Sequence, residues 1–238
     1  MALRLADGEV REARFQPENP NVRAQLLDAE EIELPWYKEY GGGAWELRGA
    51  EQLEFLMNAG LEPHHRLLDI GCGTLRGGVK LIPYLDTAHY WGVDSNAEAL
   101  AGGREAIAEL GLEAKEPHLV HLTDFDFGSL DEDFDYYLAY SVFTEIPLNP
   151  IIRCVMNAQR VLAGDARFYA TFWENSQGKR NLDPIQWWPR LWTYFDAYPY
   201  HYDFATFEWI CEGTELRVEY LGKWCGKGPQ SVLLFTRK

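Results

Sequence analysis

The 238-residue chain is short of cysteine and of positive charge. Its four cysteines, Cys72, Cys154, Cys211 and Cys225, lie far apart and form no C-x-x-C pair. That spacing argues against a structural zinc site and fits free thiols in a reducing compartment, so a cytoplasmic protein is expected. Lys and Arg number 22 against 37 Asp and Glu, a formal net charge of −15. Such a balance repels phosphates, and nucleic-acid affinity rests mainly on neutralising them; nucleic acid is not an expected partner. No apolar run approaches the ~20 residues of a membrane helix. Residues 1–15 alternate apolar and charged side chains without an apolar centre, so no secretory leader is expected. Internal repeats and low-complexity linkers are also missing. His118 and His121 are three apart on a predicted strand, a spacing that does not put both on one face, and His64 and His65 read as surface residues. No metal is expected.

Aromatic side chains are plentiful: 9 Trp, 13 Tyr and 12 Phe in a sequence that is 47% hydrophobic. A chain of this length and composition can bury a large core and is expected to fold as one main domain. Residues 1–60 read as an N-terminal extension and helical cap. Proline and a Gly41-Gly42-Gly43 run punctuate it, with one short helix at 22–31 and another at 49–59 that stops at Gly60. From residue 61 onward strands and helices alternate. Strands are expected at 66–70, 89–94, 118–122, 134–143 and 166–173. Helices are expected at 75–85, at 95–110 with Ser95 and Glu98 as a capping box, and from Asn149-Pro150 to about 162. Apolar strands alternating with helices indicate a parallel sheet covered on both faces. Segments 216–224 and 230–237, joined by a short glycine-containing turn, read as a terminal hairpin. The expected fold is α/β, doubly wound and Rossmann-like.

The residues that carry chemistry begin at 67–78, LLDIGCGTLRGG. A strand ends in Asp69, a turn follows with Gly71, Cys72 and Gly73, and a helix comes after. Glycines there permit positive φ and close backbone approach to a ligand, and a helix N-terminus offers free N–H groups. Asp94 ends the next strand, where a carboxylate can accept hydrogen bonds from two ribose hydroxyls, with Ser95 beside it. A dinucleotide site would place its third glycine where Arg76 stands. Asp69 instead suits a ligand with a cationic end and no phosphate.

These residues resemble the first motif and the ribose acid of the class I S-adenosylmethionine-dependent methyltransferases, and the resemblance extends over 44–238. It implies a seven-stranded sheet with the last strand antiparallel, and S-adenosylmethionine as cofactor. It implies Asp124 at the adenine edge with Asp126 as second choice, Phe125 as the apolar neighbour, and Tyr140 among the cofactor contacts. Segment 139–147 resembles the family's motif after the fourth strand. The chain departs from the family in two places. Leu75 stands where a third glycine is usual, and Glu145 where a histidine is usual. A narrower resemblance is to bacterial small-molecule methyltransferases with G-G-x-W before the first strand and C-G-x-L-R-G-G in the loop; it names no substrate.

Several side chains admit two readings. Arg76 can contact a cofactor or substrate carboxylate or pair with a nearby acid. Trp45 can close over the methionine end of the cofactor or pack in the cap. Glu145 can act as a general base if burial raises its pKa, or serve a helix start. His201, inside YPYHYDF, can take a proton or be packed among rings. The aromatic stretch within about 180–209 reads as a lid over the ligand end of the sheet, suited to an apolar or aromatic acceptor, and equally as a packing or dimer surface. Methyl transfer to oxygen, nitrogen or carbon of a small molecule is the expected function, by a monomer or homodimer. The alternatives are an NAD(P)-dependent oxidoreductase and a non-catalytic cofactor-binding scaffold.

Overall fold

The computed structural model describes residues 2–4, 10–12, 35–40, 44–175, 182–189, 191–226 and 228–238. The helix expected at 22–31 and the glycine run at 41–43 lie outside the described residues. Strands β1 (Ala2–Arg4) and β2 (Val10–Glu12) form an antiparallel pair. Helix α1 (Trp36–Glu39) precedes α2 (Trp45–Asn58), which starts earlier than expected after a left-handed Ala44. Then come β3 (Leu67–Ile70), α3 (Gly78–Tyr84), β4 (Tyr90–Asp94), α4 (Ala97–Glu109), β5 (His118–His121), β6 (Tyr136–Ala139), α5 (Leu148–Val161) and β7 (Arg167–Glu174). The chain continues through β8 (Ile185–Trp188), β9 (Leu191–Thr193), β10 (His201–Tyr202), α6 (Phe204–Glu212), β11 (Leu216–Lys223) and β12 (Ser231–Arg237).

The main sheet runs β11-β12-β7-β6-β3-β4-β5, with β10 paired parallel to the end of β7. Strands β7, β6, β3, β4 and β5 are parallel, and β12 is antiparallel to both neighbours. Alternation along the strands sorts the core into two layers, as a period of two demands. Leu67, Leu138, Tyr169 and Val232 pack with α2, α3 and α4 on one face. Leu68, Tyr137, Phe168 and Leu233 pack with α5 and α6 on the other. The chain winds outward through β3, β4 and β5, then returns to place β6 on the opposite side of β3. That reversal opens a crevice at the carboxyl ends of β3 and β6, the usual ligand position in such sheets.

Local chemistry moves several boundaries from those expected. Leu75 adopts φ +70°, which delays α3 to Gly78. Asn96, not Ser95, caps α4, because its side-chain oxygen accepts from the N–H groups of Glu98 and Ala99. Helix α5 begins at Leu148, with Pro150 inside its first turn, where a missing N–H costs no helical bond. The fourth strand stops at Ala139 because Ser141 turns to φ +61°. Strands β8 and β9 pair antiparallel within the aromatic stretch.

Candidate functional site

The glycine turn after β3 is pinned to β4: the N–H groups of Gly71 and Cys72 both donate to the Val93 carbonyl, at 2.8 and 3.1 Å. Gly71 and Gly73 hold φ of +68° and +56°, a region that favours glycine. The Gly73 N–H donates to one oxygen of Asp94 at 2.9 Å, and the Asn96 N–H to the other at 2.8 Å. Asp94 is half-buried. Burial pushes its carboxyl up, and these N–H groups pull it back. The Cys72 side chain is buried against Gly92, and burial beside Asp69 and Asp94 pushes its thiol well up. Cys72 therefore offers the cleft its backbone rather than a reactive sulfur.

Asp69 is 3% exposed and accepts from the Tyr90 hydroxyl at 2.7 Å. Burial pushes its carboxyl up to about 7; the Tyr90 bond opposes the shift, Asp94 adds to it and Arg76 opposes it. The Arg76 guanidinium lies 5.7 Å from the Tyr140 ring centroid. Desolvation lowers its pKa, while Tyr140, Glu145 and Asp69 hold it up. Tyr140 in turn packs 4.7 Å from Trp224.

Glu145 lies in the loop after β6 and is exposed to solvent. Desolvation pushes its carboxyl up to about 7, Arg76 opposes and Asp94 adds. The loop is clamped on both sides of Glu145. The Tyr200 N–H donates to the Thr144 carbonyl and the Tyr202 hydroxyl to the Ile146 carbonyl, each at 2.8 Å. The aromatic stretch thus holds the backbone on either side of Glu145. Its Tyr198 is 60% exposed, and burial of its hydroxyl together with the charge of Glu145 pushes that hydroxyl up to about 12. From the N-terminal side, the Tyr40 ring lies over Gly73, and its hydroxyl accepts from the Asn96 side chain at 2.9 Å. Burial raises the Tyr40 hydroxyl, the Asn96 bond opposes, and Asp94 and Glu145 add to the rise.

Asp69, Gly71, Gly73, Asp94, Arg76, Tyr140 and Glu145 therefore share one end of the sheet. Asp124 and Phe125 follow β5 at the same end. Asp124 is exposed and accepts from the Asp126 N–H, while Phe125 is half-buried against the core at φ +60°. Other expectations are corrected. Ser95 is exposed and yields the cap to Asn96. Trp45 is 5% exposed and packs edge-on to Tyr37 at 5.6 Å, which makes it a core residue rather than a cover for the cofactor. His201 is 3% exposed, and its Nδ1 is 2.9 Å from the Thr193 hydroxyl, which also accepts from the Trp187 indole at 3.0 Å. Tyr40, Asn96, Tyr90 and Tyr198 escaped the reading of the sequence. Tyr40 stands directly before the glycine run, and Tyr90 is a strand tyrosine whose buried hydroxyl needs a partner; both were available signals. Among the described residues, no group of three or more His, Cys, Asp or Glu could hold a metal.

Residues 68–168 match the family model described as a methyltransferase domain. The chain carries a methyltransferase domain. This match sets the oxidoreductase alternative aside. The methyltransferase fold is shared with solved structures at low identity. Magnesium protoporphyrin IX methyltransferase (ChlM) from Synechocystis PCC 6803, with bound SAM, is 13% identical over 93% of each chain, with a TM-score of 0.60. The CcbJ methyltransferase from Streptomyces caelestis is 15% identical over 87% of this chain and 100% of its own, with a TM-score of 0.62. The glycopeptide N-methyltransferase MtfA, complexed with SAM, is 12% identical over 80% of this chain and 94% of its own, with a TM-score of 0.60.

Proposed function

We propose that this methyltransferase moves a methyl group from S-adenosylmethionine to a small acceptor with an apolar or aromatic body. The observation that carries the reading is the charge of the cleft, where Asp94 acts on both Asp69 and Glu145 and Arg76 is the cation among them. A ligand bearing a sulfonium and an ammonium relieves that excess of carboxylate, whereas a pyrophosphate would add to it.

The residues present fit such a ligand. The Asp94 oxygens accept from the Gly73 and Asn96 N–H groups, and the Ser95 N–H also lowers this carboxyl, so the side chain is held as an acceptor at the place where ribose hydroxyls would bind. The backbone at Gly71 and Gly73 allows close approach, Asp69 and Arg76 would face the methionine end, and Asp124 with Phe125 the adenine. When bound, the cofactor supplies an electrophilic methyl on sulfur. The chain itself contributes positioning and exclusion of water, and Glu145 is placed to accept a proton from the acceptor. His201, tied to Thr193, would hold the aromatic stretch rather than take that proton. The exposed rings of Trp188, Trp192, Phe195 and Tyr198 would meet the acceptor.

A cytoplasmic location and the absence of nucleic-acid and membrane partners remain part of this proposal. All four cysteines are free, and no helix among the described residues is long and apolar enough to cross a membrane. The unit would be a monomer or homodimer, with 1–60 as cap and 61–238 as catalytic domain. Calorimetric titration with S-adenosylhomocysteine beside NADH tests the reading. Micromolar binding of the former alone is expected; binding of NADH alone would restore the oxidoreductase.

A further inference from the structure

The hydroxyl of Tyr40 bears on how the cofactor is held, on the premise that the cleft is a methyl-transfer site. Tyr40 follows α1 as its C-cap and is half-buried. It is bracketed by the two residues that fix the candidate ribose acid. A Cβ built on Gly73 would stand 3.8 Å from its ring, and its hydroxyl accepts from the Asn96 side chain at 2.9 Å. The backbone N–H groups of Gly73 and Asn96 hold the two oxygens of Asp94, at 2.9 and 2.8 Å. The Asn96 side-chain oxygen is spent on capping α4, where Glu98 and Ala99 donate to it, so its NH2 group is what meets Tyr40. The Tyr40 oxygen is thus an acceptor, and among the described residues no group takes its proton. The segment before it is anchored independently. The Trp36 indole donates to Glu105 at 2.9 Å, the Tyr37 hydroxyl donates to Glu109, and the Tyr37 carbonyl accepts from the Thr74 hydroxyl at 2.7 Å.

We propose that Tyr40 is a cofactor-binding residue, whose O–H donates to the oxygen of a ribose hydroxyl while that hydroxyl's own proton goes to Asp94. A hydroxyl is donor and acceptor at once, and an ionised carboxylate only accepts. Asp94 therefore meets half of what a buried ribose hydroxyl needs, and a donor must meet the other half. The Gly73 and Asn96 N–H groups are spent on Asp94 itself, whereas the Tyr40 proton is unspent. The resulting chain runs in one direction: the Asn96 NH2 donates to Tyr40, Tyr40 to the ribose hydroxyl, and the ribose hydroxyl to Asp94. The Asn96 backbone N–H, already bonded to Asp94, closes the ring. Bonds aligned head to tail in this way strengthen one another. The N-terminal segment thereby contributes a ribose-reading group to a pocket otherwise built from the turns after β3 and β4.

The test uses the full-length protein and three probes: S-adenosylhomocysteine and its 2′-deoxy and 3′-deoxy analogues. Calorimetric titration reads their affinities for the wild type and for Tyr40→Phe, which keeps the ring and deletes the O–H. Tyr40→Phe is expected to bind S-adenosylhomocysteine about fivefold more weakly, the scale of one neutral hydrogen bond. It should bind at least one of the deoxy analogues within about twofold of the wild type, because that analogue lacks the hydroxyl that Tyr40 reaches. An equal loss for all three probes would mean that Tyr40 acts only by holding the cap, and unchanged affinity for all three that it does not touch the ligand. Either result overturns the proposal. Wild-type binding of S-adenosylhomocysteine is measured first. Its absence sinks the methyl-transfer reading, whereas a wrong pattern in Tyr40→Phe beside a wild type that binds sinks only the role of Tyr40.

Discussion

Gly71 lies against Val142: a Cβ built at position 71 would meet Val142 Cγ2 at 2.5 Å. The contact joins the turn after β3 to the loop after β6, the two segments that bound the crevice. Gly71→Ala should therefore cost about 2 kcal/mol, part from overpacking and part from an alanine held at positive φ. Val142→Ala removes the overpacking but not the backbone strain. The two changes should couple by about 1 kcal/mol in a double-mutant cycle read by urea unfolding. Strict additivity would mean that the loops relax apart and that the contact does not shape the crevice.

Among the described residues, Tyr40 is tied to the cleft by a side-chain hydrogen bond from Asn96 at 2.9 Å. Tyr40→Phe keeps the ring over Gly73 and deletes that bond, a loss of about 1 kcal/mol. Amide exchange within α1 should then speed up about fivefold, with global stability little changed. Unaltered exchange would show that α1 is held by Trp36 and Tyr37, whose side chains bond Glu105 and Glu109, and not by Tyr40.

The sheet was largely legible because its strands carry strong apolar runs, as in Leu67–Ile70 and Tyr136–Ala139, and because glycine marks the turn between β3 and α3. Asp69, Gly71, Gly73 and Asp94 were legible for the same reason: local geometry constrains each of them. What sequence concealed is long-range. That Tyr90 satisfies Asp69 depends on the position of β4 beside β3. That Tyr200 and Tyr202 grip the loop around Glu145 depends on how a segment more than fifty residues away folds back. The spacing of Ser95 to Glu98 points to a capping box at Ser95, but the backbone turn gives the cap to Asn96. Of the two readings that the sequence leaves open for Trp45, its burial against Tyr37 favours packing in the cap, a choice that position in the sequence alone does not make.

Asp69 gives the fold a pH dependence of definite sign. Its folded carboxyl titrates near 7, above its ordinary value of 3.8. Between those values the folded chain binds more protons than the unfolded chain, so stability falls as pH rises. Asp94 and Glu145, also raised, act in the same direction. The wild type should be more stable at pH 5 than at pH 7.5. Asp69→Asn keeps an acceptor for the Tyr90 hydroxyl and removes the titration, so its unfolding midpoint should change less over that interval. A steeper dependence in Asp69→Asn would show that Asp69 is ionised and stabilising at neutral pH, contrary to its burial.

Glu145 should set the pH profile of turnover. With its carboxyl near 7, the proton-accepting form grows from pH 6 to pH 8, and the wild-type rate at saturating cofactor should rise with it. Glu145→Gln cannot accept a proton. At pH 8 it should turn over at least tenfold more slowly, about 1.4 kcal/mol in the barrier, and the gap should narrow toward pH 6, where the wild type is itself largely protonated. Affinity for S-adenosylhomocysteine should stay within about twofold, since Asp69, Asp94 and the glycine turn are untouched. A uniform loss at every pH would point to a binding role for Glu145, and an unchanged rate would leave it only the structural role of opening the loop into α5.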